Sequence, residues 1–384
     1  MSKVLKEKSI WLTEDIDRSL MIASHFGFAP IEPPKISKQD IEIAEEYGRH
    51  PYYDATESSA LIRSYIEHGL SREPHPLSIS YKRVSPGKSR DRYSLHFIGS
   101  TQGVVEATLI RSSLSILNDL GHKNLSVDMN SVGDKDSLCA YERELHQYIR
   151  KLAPDLPDNI RENIKKDIFS IFELDYPEIE TIRQNIPPSI SSLTSASRIH
   201  LKEVLEYIEA LNIEFRLTPS LVGNKNYCSN TIFAIRDEDE KDRILAVGYH
   251  YSKLTRRLGL RKEIPMVGVT ITSDLAGGGT SKRVYKTLPK SKFCLVHLGR
   301  DAKMRTLSIL EDLRREHIHV YHLLGKDKIT VQLTNLENLP VSHVILIGQK
   351  EALDGTATVR NVATRAQDTI ALRELPLYLK NLVV

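Results

Sequence analysis

Cysteine is scarce in this chain of 384 residues, with only Cys139, Cys228 and Cys294 present. No two of them have the spacing of a metal-binding pair, and an odd number argues against a framework of disulfides. No run of about 18 apolar residues is long enough to span a membrane. The N-terminal segment also lacks the apolar core of a signal peptide. We therefore expect a protein of the reducing cytoplasm that does not associate with membranes.

A strong excess of one charge is also missing. The 53 lysines and arginines nearly balance 50 aspartates and glutamates, which leaves a net charge of +3. This is too small to predict nucleic-acid binding by itself, so any RNA contact would depend on local clusters. What is present is an ordinary globular composition, 40% hydrophobic and 27% charged. The length predicts two or three domains that can bury a sizeable core.

The periodicity of the hydrophobic residues predicts several helices and strands. It predicts an amphipathic helix over Thr13–Phe26, whose first residue would cap it. Strand patterns over Leu77–Val84 and Arg92–Ile98 flank a basic, turn-rich loop. Residues 292–384 alternate strand and helix patterns, which is typical of a mostly parallel sheet flanked by helices. A glycine-rich and then lysine-rich stretch at 276–291 predicts a basic, flexible linker.

One cluster of acidic residues and one of histidines could suggest a metal site, but each has a simpler explanation. Asp237–Asp242 lies between two strand patterns and reads as a solvated hairpin tip. His317–His322 fits a helix end followed by strand alternation. We expect no metal site.

Six blocks of the sequence occur in the order known from one enzyme family. They are Phe26–Ile31, Arg63–Gly69, Met129–Asp134 with Tyr141–Leu145, Ser197–Leu211, Leu221–Ala234 and Ile347–Arg360. With these blocks the chain resembles the histidyl-tRNA synthetases over nearly its whole length. The resemblance implies an α+β class II aminoacyl-tRNA synthetase-like core over residues 1–275, with a six-stranded antiparallel sheet and a helical insertion at about 150–200. It further implies an α/β anticodon-binding-like domain at 292–384 and a homodimer.

The residues that would carry this family's chemistry are replaced. The histidine-binding stretch of the family reads L-V-R-G-L-D-Y-Y-x-x-T-V-F-E, which places Gly223 at its arginine, Asn226 at its aspartate and Ala234 at its glutamate. The ATP-binding arginine of motif 3 falls on Leu275. Such arginines stabilise the charge that builds on the α-phosphate, and losing one such donor costs about 10²–10³ in rate. The sequence therefore predicts that histidine is not activated with ATP.

The same resemblance leaves a set of candidates for lining the ligand cleft. Arg83 lies close to the expected place of the loop arginine and is the one candidate for a catalytic role. Glu57 is adjacent to the position of the amino-group-binding glutamate. The whole set is Thr56, Glu57, Arg83, His96, Tyr227 and His250. His96 and Tyr227 also fit the alternative of packing residues left over from the cleft.

Basic residues in the loop and in the C-terminal part are the candidates for RNA contacts: Lys88, Arg90, Arg300, Lys303, Lys326, Lys328 and Arg360. Solvated surface charges explain such residues equally well.

Three functions remain open from the sequence. The favoured one is a catalytically inactive paralogue that acts as a tRNA- or protein-binding dimer and needs no cofactor. The second is an active histidine–tRNA ligase using ATP and Mg²⁺, against which Gly223 and Leu275 argue. The third is a regulatory subunit resembling the partner of ATP phosphoribosyltransferase in histidine biosynthesis. The retained residues 292–384 and the replaced histidine-site residues argue against it.

Overall fold

The protein builds two β-sheets, one of eight strands and one of five. The computed structural model describes residues 13, 16–47, 55–72, 75–84, 90–152, 156–172, 177–240, 243–274, 285, 287–336 and 340–382. The strands of the larger sheet are β1 (Ala29–Pro30), β2 (Leu77–Val84), β3 (Arg90–Ile98), β4 (Leu125–Gly133), β5 (Phe215–Leu217), β6 (Ser229–Asp237), β7 (Arg243–His250) and β8 (Met266–Asp274).

Helices cover both faces of this sheet. They are α1 (Arg18–His25), α2 (Lys38–Glu46), α3 (Ala55–Glu67), α4 (Val104–Asp119), α5 (Lys135–Leu152), α6 (Asp158–Lys166), α7 (Pro177–Gln184), α8 (Ser195–Ala210) and α9 (Lys253–Arg257). Short 3₁₀ turns occur at Leu70–Arg72, Ile168–Phe172 and Ser189–Ser192.

The strand order β1-β2-β3-β8-β7-β6-β4-β5 corrects the expected six-stranded sheet. The six inner strands of this order, which begins with β2 and ends with β4, pair antiparallel as predicted. Two short edge strands add to them, because β1 pairs parallel with β2 and β5 pairs parallel with β4.

The first helix is shorter than predicted, and a different residue caps it. It spans Arg18–His25, and the carboxylate of Asp17 accepts a hydrogen bond from the Leu20 backbone N–H at 3.0 Å. The residue before this cap is held in extended backbone, because Ile16 exchanges backbone hydrogen bonds with Tyr285 at 3.2 and 2.7 Å. Thr13 is therefore too far from the helix to cap it.

Each face of the larger sheet has its own apolar core. One core joins α1, α4 and α8 to inward side chains such as Leu95 and Phe97. The other joins α3 and α5 to side chains such as Tyr81 and Tyr249. Because successive side chains of a strand point to opposite faces, one strand contributes to both cores. This alternation decides which candidates can share a cleft.

The smaller sheet has the order β10-β9-β11-β12-β13. Its strands are β9 (Phe293–His297), β10 (Val320–His322), β11 (His343–Ile347), β12 (Thr356–Asn361) and β13 (Gln367–Ala371), with helices α10 (Arg300–Arg315), α11 (Ile329–Leu336), α12 (Gln349–Asp354) and α13 (Leu375–Asn381). The first three strands pair parallel, in agreement with the alternating pattern, whereas β12 pairs antiparallel with both β11 and β13. Gly355 ends α12 in the left-handed conformation, at φ +66°, and starts this antiparallel part.

The C-terminal part packs closely on the larger sheet's helices, and the two share one apolar core. At Gly27, φ is +88° and an added Cβ would lie 2.9 Å from the His322 ring. The Glu311 carboxylate of α10 accepts a hydrogen bond from the Ser115 hydroxyl of α4 at 2.9 Å. Most of the predicted linker at 276–291 lies outside the described residues.

Candidate functional site

An ion pair links α3 to strand β2 on the face of the candidate cleft. Nε of Arg83 lies 2.5 Å from one carboxylate oxygen of Glu57, and Nη2 donates to the other oxygen at 3.0 Å. The same Nη2 also donates to the Pro34 carbonyl at 2.6 Å. Glu57 is buried and Thr56 beside it is partly buried. The guanidinium, the one candidate for charge stabilisation, is therefore already neutralised by the protein's own carboxylate.

Four tyrosines fill the space beside this pair. Tyr81, Tyr227 and Tyr251 are at most 1% exposed and Tyr249 is 6% exposed. The Tyr227 and Tyr249 ring centroids are 6.0 Å apart, and those of Tyr249 and Tyr251 are 5.9 Å apart. Aromatic pairs at such distances pack favourably. The cleft face is thus a continuous aromatic cluster.

Two hydrogen bonds connect polar atoms of this cluster with each other and with α3. The Tyr251 hydroxyl forms a 2.8 Å hydrogen bond with Nδ1 of His96, and the Tyr249 hydroxyl lies 3.0 Å from the Ser58 hydroxyl. Burial lowers the pKa of His96 to about 3, so its ring is neutral. Burial likewise raises the pKa of Tyr81 and Tyr251 well above their usual value. These side chains offer no positive charge to a phosphate.

Two of the three positions where the family carries charged residues are tightly packed. A Cβ added at Gly223 would lie 2.7 Å from the Cys228 sulfur and 3.1 Å from Ile232, so an arginine there would not fit without movement. Ala234 is fully buried. Asn226 is exposed, and its backbone N–H donates to the Asn224 side chain at 3.0 Å.

His250 lies outside the cleft. Tyr249 and Tyr251 pack in the core on the cleft face, so strand alternation turns His250 to the opposite face. There its Nε2 lies 2.8 Å from the carboxylate of Glu106 on α4, and Nε2 of His200 on α8 lies 2.6 Å from the same oxygen. The alignment identified His250 but not its partners. They are far away in sequence and look like ordinary polar residues of two helical patterns.

Comparisons with known proteins agree with this architecture. Residues 292–382 match the anticodon binding domain family. The chain is 27% identical over 355 residues to the histidine–tRNA ligase of Halothermothrix orenii, covering 88% of this chain and 84% of that relative. It is 25% identical over 333 residues to the histidine–tRNA ligase of Dehalococcoides mccartyi, covering 83% and 79%.

Among solved structures, apo histidyl-tRNA synthetase of S. aureus shares the fold with a TM-score of 0.52 at 21% identity, covering 94% of this chain and 93% of that one. Over most of its length the chain is thus similar to histidine–tRNA ligases, and its C-terminal part matches their anticodon binding domain. The predicted class II α+β core and the C-terminal anticodon-binding-like domain are confirmed. No helix in the described part of this synthetase-like chain is long and apolar enough to cross a membrane.

The RNA candidates of this synthetase-like protein fall into different environments. Lys303 is 4% exposed, because its ammonium group donates to the Gln102 side chain at 2.9 Å and to the Asp327 carboxylate. This packing removes Lys303 from the predicted RNA-contacting surface. Arg300, also on α10, forms an ion pair with Glu206 of α8.

The remaining RNA candidates differ in exposure. Lys328 and Arg360 are exposed, whereas Lys326 is partly buried and burial lowers its pKa. Lys88 lies outside the described residues, and Arg90 lies in β3 with its side chain not described.

Proposed function

We propose that this protein is a catalytically inactive member of the histidyl-tRNA synthetase-like family that binds tRNA through its C-terminal domain, as a homodimer. The buried tyrosine cluster and the Glu57–Arg83 ion pair on the cleft face are the observation that carries this proposal. If the protein does not bind RNA, the proposed partner is a protein in place of tRNA.

Closure of the cleft opposes ATP and histidine binding in two ways. A ligand would have to displace tyrosines that are already packed and hydrogen-bonded. It would also have to separate Arg83 from a buried carboxylate, and breaking a buried ion pair by removing one partner costs about 3–5 kcal/mol. Gly223 supplies no replacement charge. The attacking carboxylate and the α-phosphate would therefore meet without the usual electrostatic stabilisation.

Histidine-dependent exchange of pyrophosphate into ATP tests the catalytic half of this proposal. The purified chain should give no exchange above a no-enzyme control, while an active histidyl-tRNA synthetase assayed in parallel should give a strong signal. If the wild-type chain catalyses this exchange and the Arg83→Gln variant does not, the proposal is overturned and the histidine–tRNA ligase alternative is established. The variant rules out a contaminating enzyme as the source of activity.

Titration with total tRNA tests the binding half. Support for RNA contact comes from the anticodon-binding-domain match and from the exposed Lys328 and Arg360. If phosphates are bound, log K should fall by about 0.7–0.9 per log unit of salt for each phosphate neutralised. Lys326→Ala with Lys328→Ala should weaken binding and reduce this slope. Lys38→Ala, on the exposed side of α2, is the matched control.

Two outcomes would count against these parts of the proposal. Absence of tRNA binding by the full chain even at low salt would remove the tRNA role and leave a protein partner. A monomeric mass at micromolar concentration would remove the homodimer.

A further inference from the structure

Three potential ligands meet on the face of the sheet opposite the cleft. Glu106 comes from α4, His200 from α8 and His250 from the end of β7, and their three ligand atoms lie within 4.8 Å of one another. The two imidazole ring centroids are 5.9 Å apart at an interplanar angle of 79°. Glu106 is fully buried and His250 is 3% exposed, while 16% of the His200 side chain is exposed. The group is thus enclosed, with one ligand near solvent.

We propose that Glu106, His200 and His250 bind one divalent transition-metal ion, best matched by Zn²⁺. Two imidazole nitrogens with one carboxylate form a donor set that zinc commonly takes in proteins. Oxygen-only ions such as Mg²⁺ or Ca²⁺ prefer carboxylates, carbonyls and water, so they fit this group poorly. Three protein ligands leave a fourth tetrahedral position for water or an added ligand. The site is independent of the proposed loss of catalysis.

An unpaired carboxylate oxygen points to a missing ligand. Both imidazoles approach the same oxygen of Glu106, at 2.6 and 2.8 Å, and the other oxygen is buried without a hydrogen-bond partner. A cluster that served packing alone would be better satisfied with one imidazole on each oxygen, because an unmade hydrogen bond to a buried charged group costs free energy. A metal ion drawn into the cluster would provide that missing interaction.

A further contact resembles the outer shell of known metal sites. Besides its contact with Glu106, His200 interacts with the backbone of Thr101, and this interaction helps to raise the pKa of His200. Metal-binding histidines usually donate their second ring N–H to such a group, which fixes the tautomer and the ring orientation. His200 can therefore keep Nδ1 protonated while Nε2 binds the metal.

Metal binding replaces protons in a balanced exchange. Without a metal, each Nε2 in contact with the Glu106 oxygen carries a hydrogen that it donates to the carboxylate. When each Nε2 lone pair binds the ion, its proton moves to Nδ1 if the imidazole is neutral, or passes to the buffer if the imidazole is doubly protonated. Affinity should therefore fall as the pH is lowered.

Zinc titration of the chelator-treated full chain tests the site. Competition with a chromogenic zinc indicator should show one ion per chain, and metal analysis after desalting should give the same ratio. Co²⁺ in place of Zn²⁺ should give the visible absorption of a four-coordinate site with nitrogen ligands. Zinc should raise the Tm of the wild-type chain.

Matched variants separate this site from surface binding. Glu106→Gln and His200→Gln should each weaken zinc binding at least tenfold and abolish the rise in Tm. His200→Gln alters the partly exposed ligand, so it keeps the test valid if Glu106→Gln does not fold. His146→Gln changes an exposed histidine on α5 and should leave binding unchanged. The proposal is overturned if wild-type protein binds no stoichiometric zinc, or if His200→Gln binds it as tightly.

Discussion

Lowering the pH should destabilise the contact between the two sheets, because buried histidines line it. His25 at the end of α1 and His319 beside β10 have ring centroids 5.2 Å apart. Nε2 of His322 lies 3.3 Å from the His25 carbonyl oxygen. Burial, reinforced for His25 by the nearby charges of His319, Arg314 and His317, lowers the pKa of His25 to about 3. Burial likewise lowers the pKa of His319 to about 4 and that of His322 to about 3.

The direction and size of the effect follow from these values. An unfolded histidine has a pKa of about 6.5, so between about pH 6.5 and 4 the unfolded chain binds protons that the folded chain does not. The free energy of unfolding must therefore fall as the pH falls through this window. At about 1.4 kcal/mol per pH unit, each histidine contributes a loss of roughly 2 kcal/mol at pH 5. Three histidines together give an upper limit of about 6 kcal/mol, comparable to the total stability of many domains.

Urea unfolding at pH 7 and pH 5 measures this loss. The wild-type loss between the two pH values should exceed that of His319→Leu by about 2 kcal/mol, because leucine has similar volume and does not titrate. Comparing differences removes any change in absolute stability and the contributions of all other groups. His146→Gln, on an exposed surface, should show the wild-type loss. Equal losses in wild type and His319→Leu would refute the reasoning.

Two further predictions concern the packing of the candidate cleft. Gly223→Ala should destabilise the fold by about 1–3 kcal/mol, because its Cβ would lie 2.7 Å from Cys228, and thermal unfolding should show it. A stability equal to wild type would contradict that packing. Arg83→Leu should lower stability by about 3 kcal/mol, since it leaves the Glu57 carboxylate buried and unpaired, whereas adding Glu57→Gln should recover most of the loss. If the double variant is no more stable than Arg83→Leu, the two side chains are not coupled as described.

Regular periodicity and family motifs predicted much of the fold. Strand β2 lies at the predicted Leu77–Val84, because its alternation matches a sheet with two different faces. The start of α1 was predicted wrongly because the backbone pairing of Ile16 with Tyr285 joins segments that are far apart in sequence. Local propensity contains no information about such a pairing.

The roles of individual side chains were harder to predict than the helices and strands. The prediction placed His250 in the cleft because motif alignment gives a position but not the face of the strand to which a side chain points. Its contact with Glu106 depends on how α4 crosses the sheet. Lys303 looked like a surface lysine of an amphipathic helix, but packing of α10 brings it against Gln102. Both errors have one cause, since tertiary contacts between distant segments decided them.

The proposed loss of catalysis would connect the replaced motif residues with the packed tyrosines. An open ligand cleft leaves polar groups to be completed by its ligand, and this keeps a functional site less stable than a filled core. Here Glu57 forms an ion pair with Arg83. His96 forms a hydrogen bond with Tyr251, and Ser58 forms one with Tyr249. Three interactions that a bound ligand could otherwise make are therefore already formed within the chain. If the chain is inactive as proposed, restoring one arginine would leave the tyrosine cluster in place, so activity would also require that cluster to move.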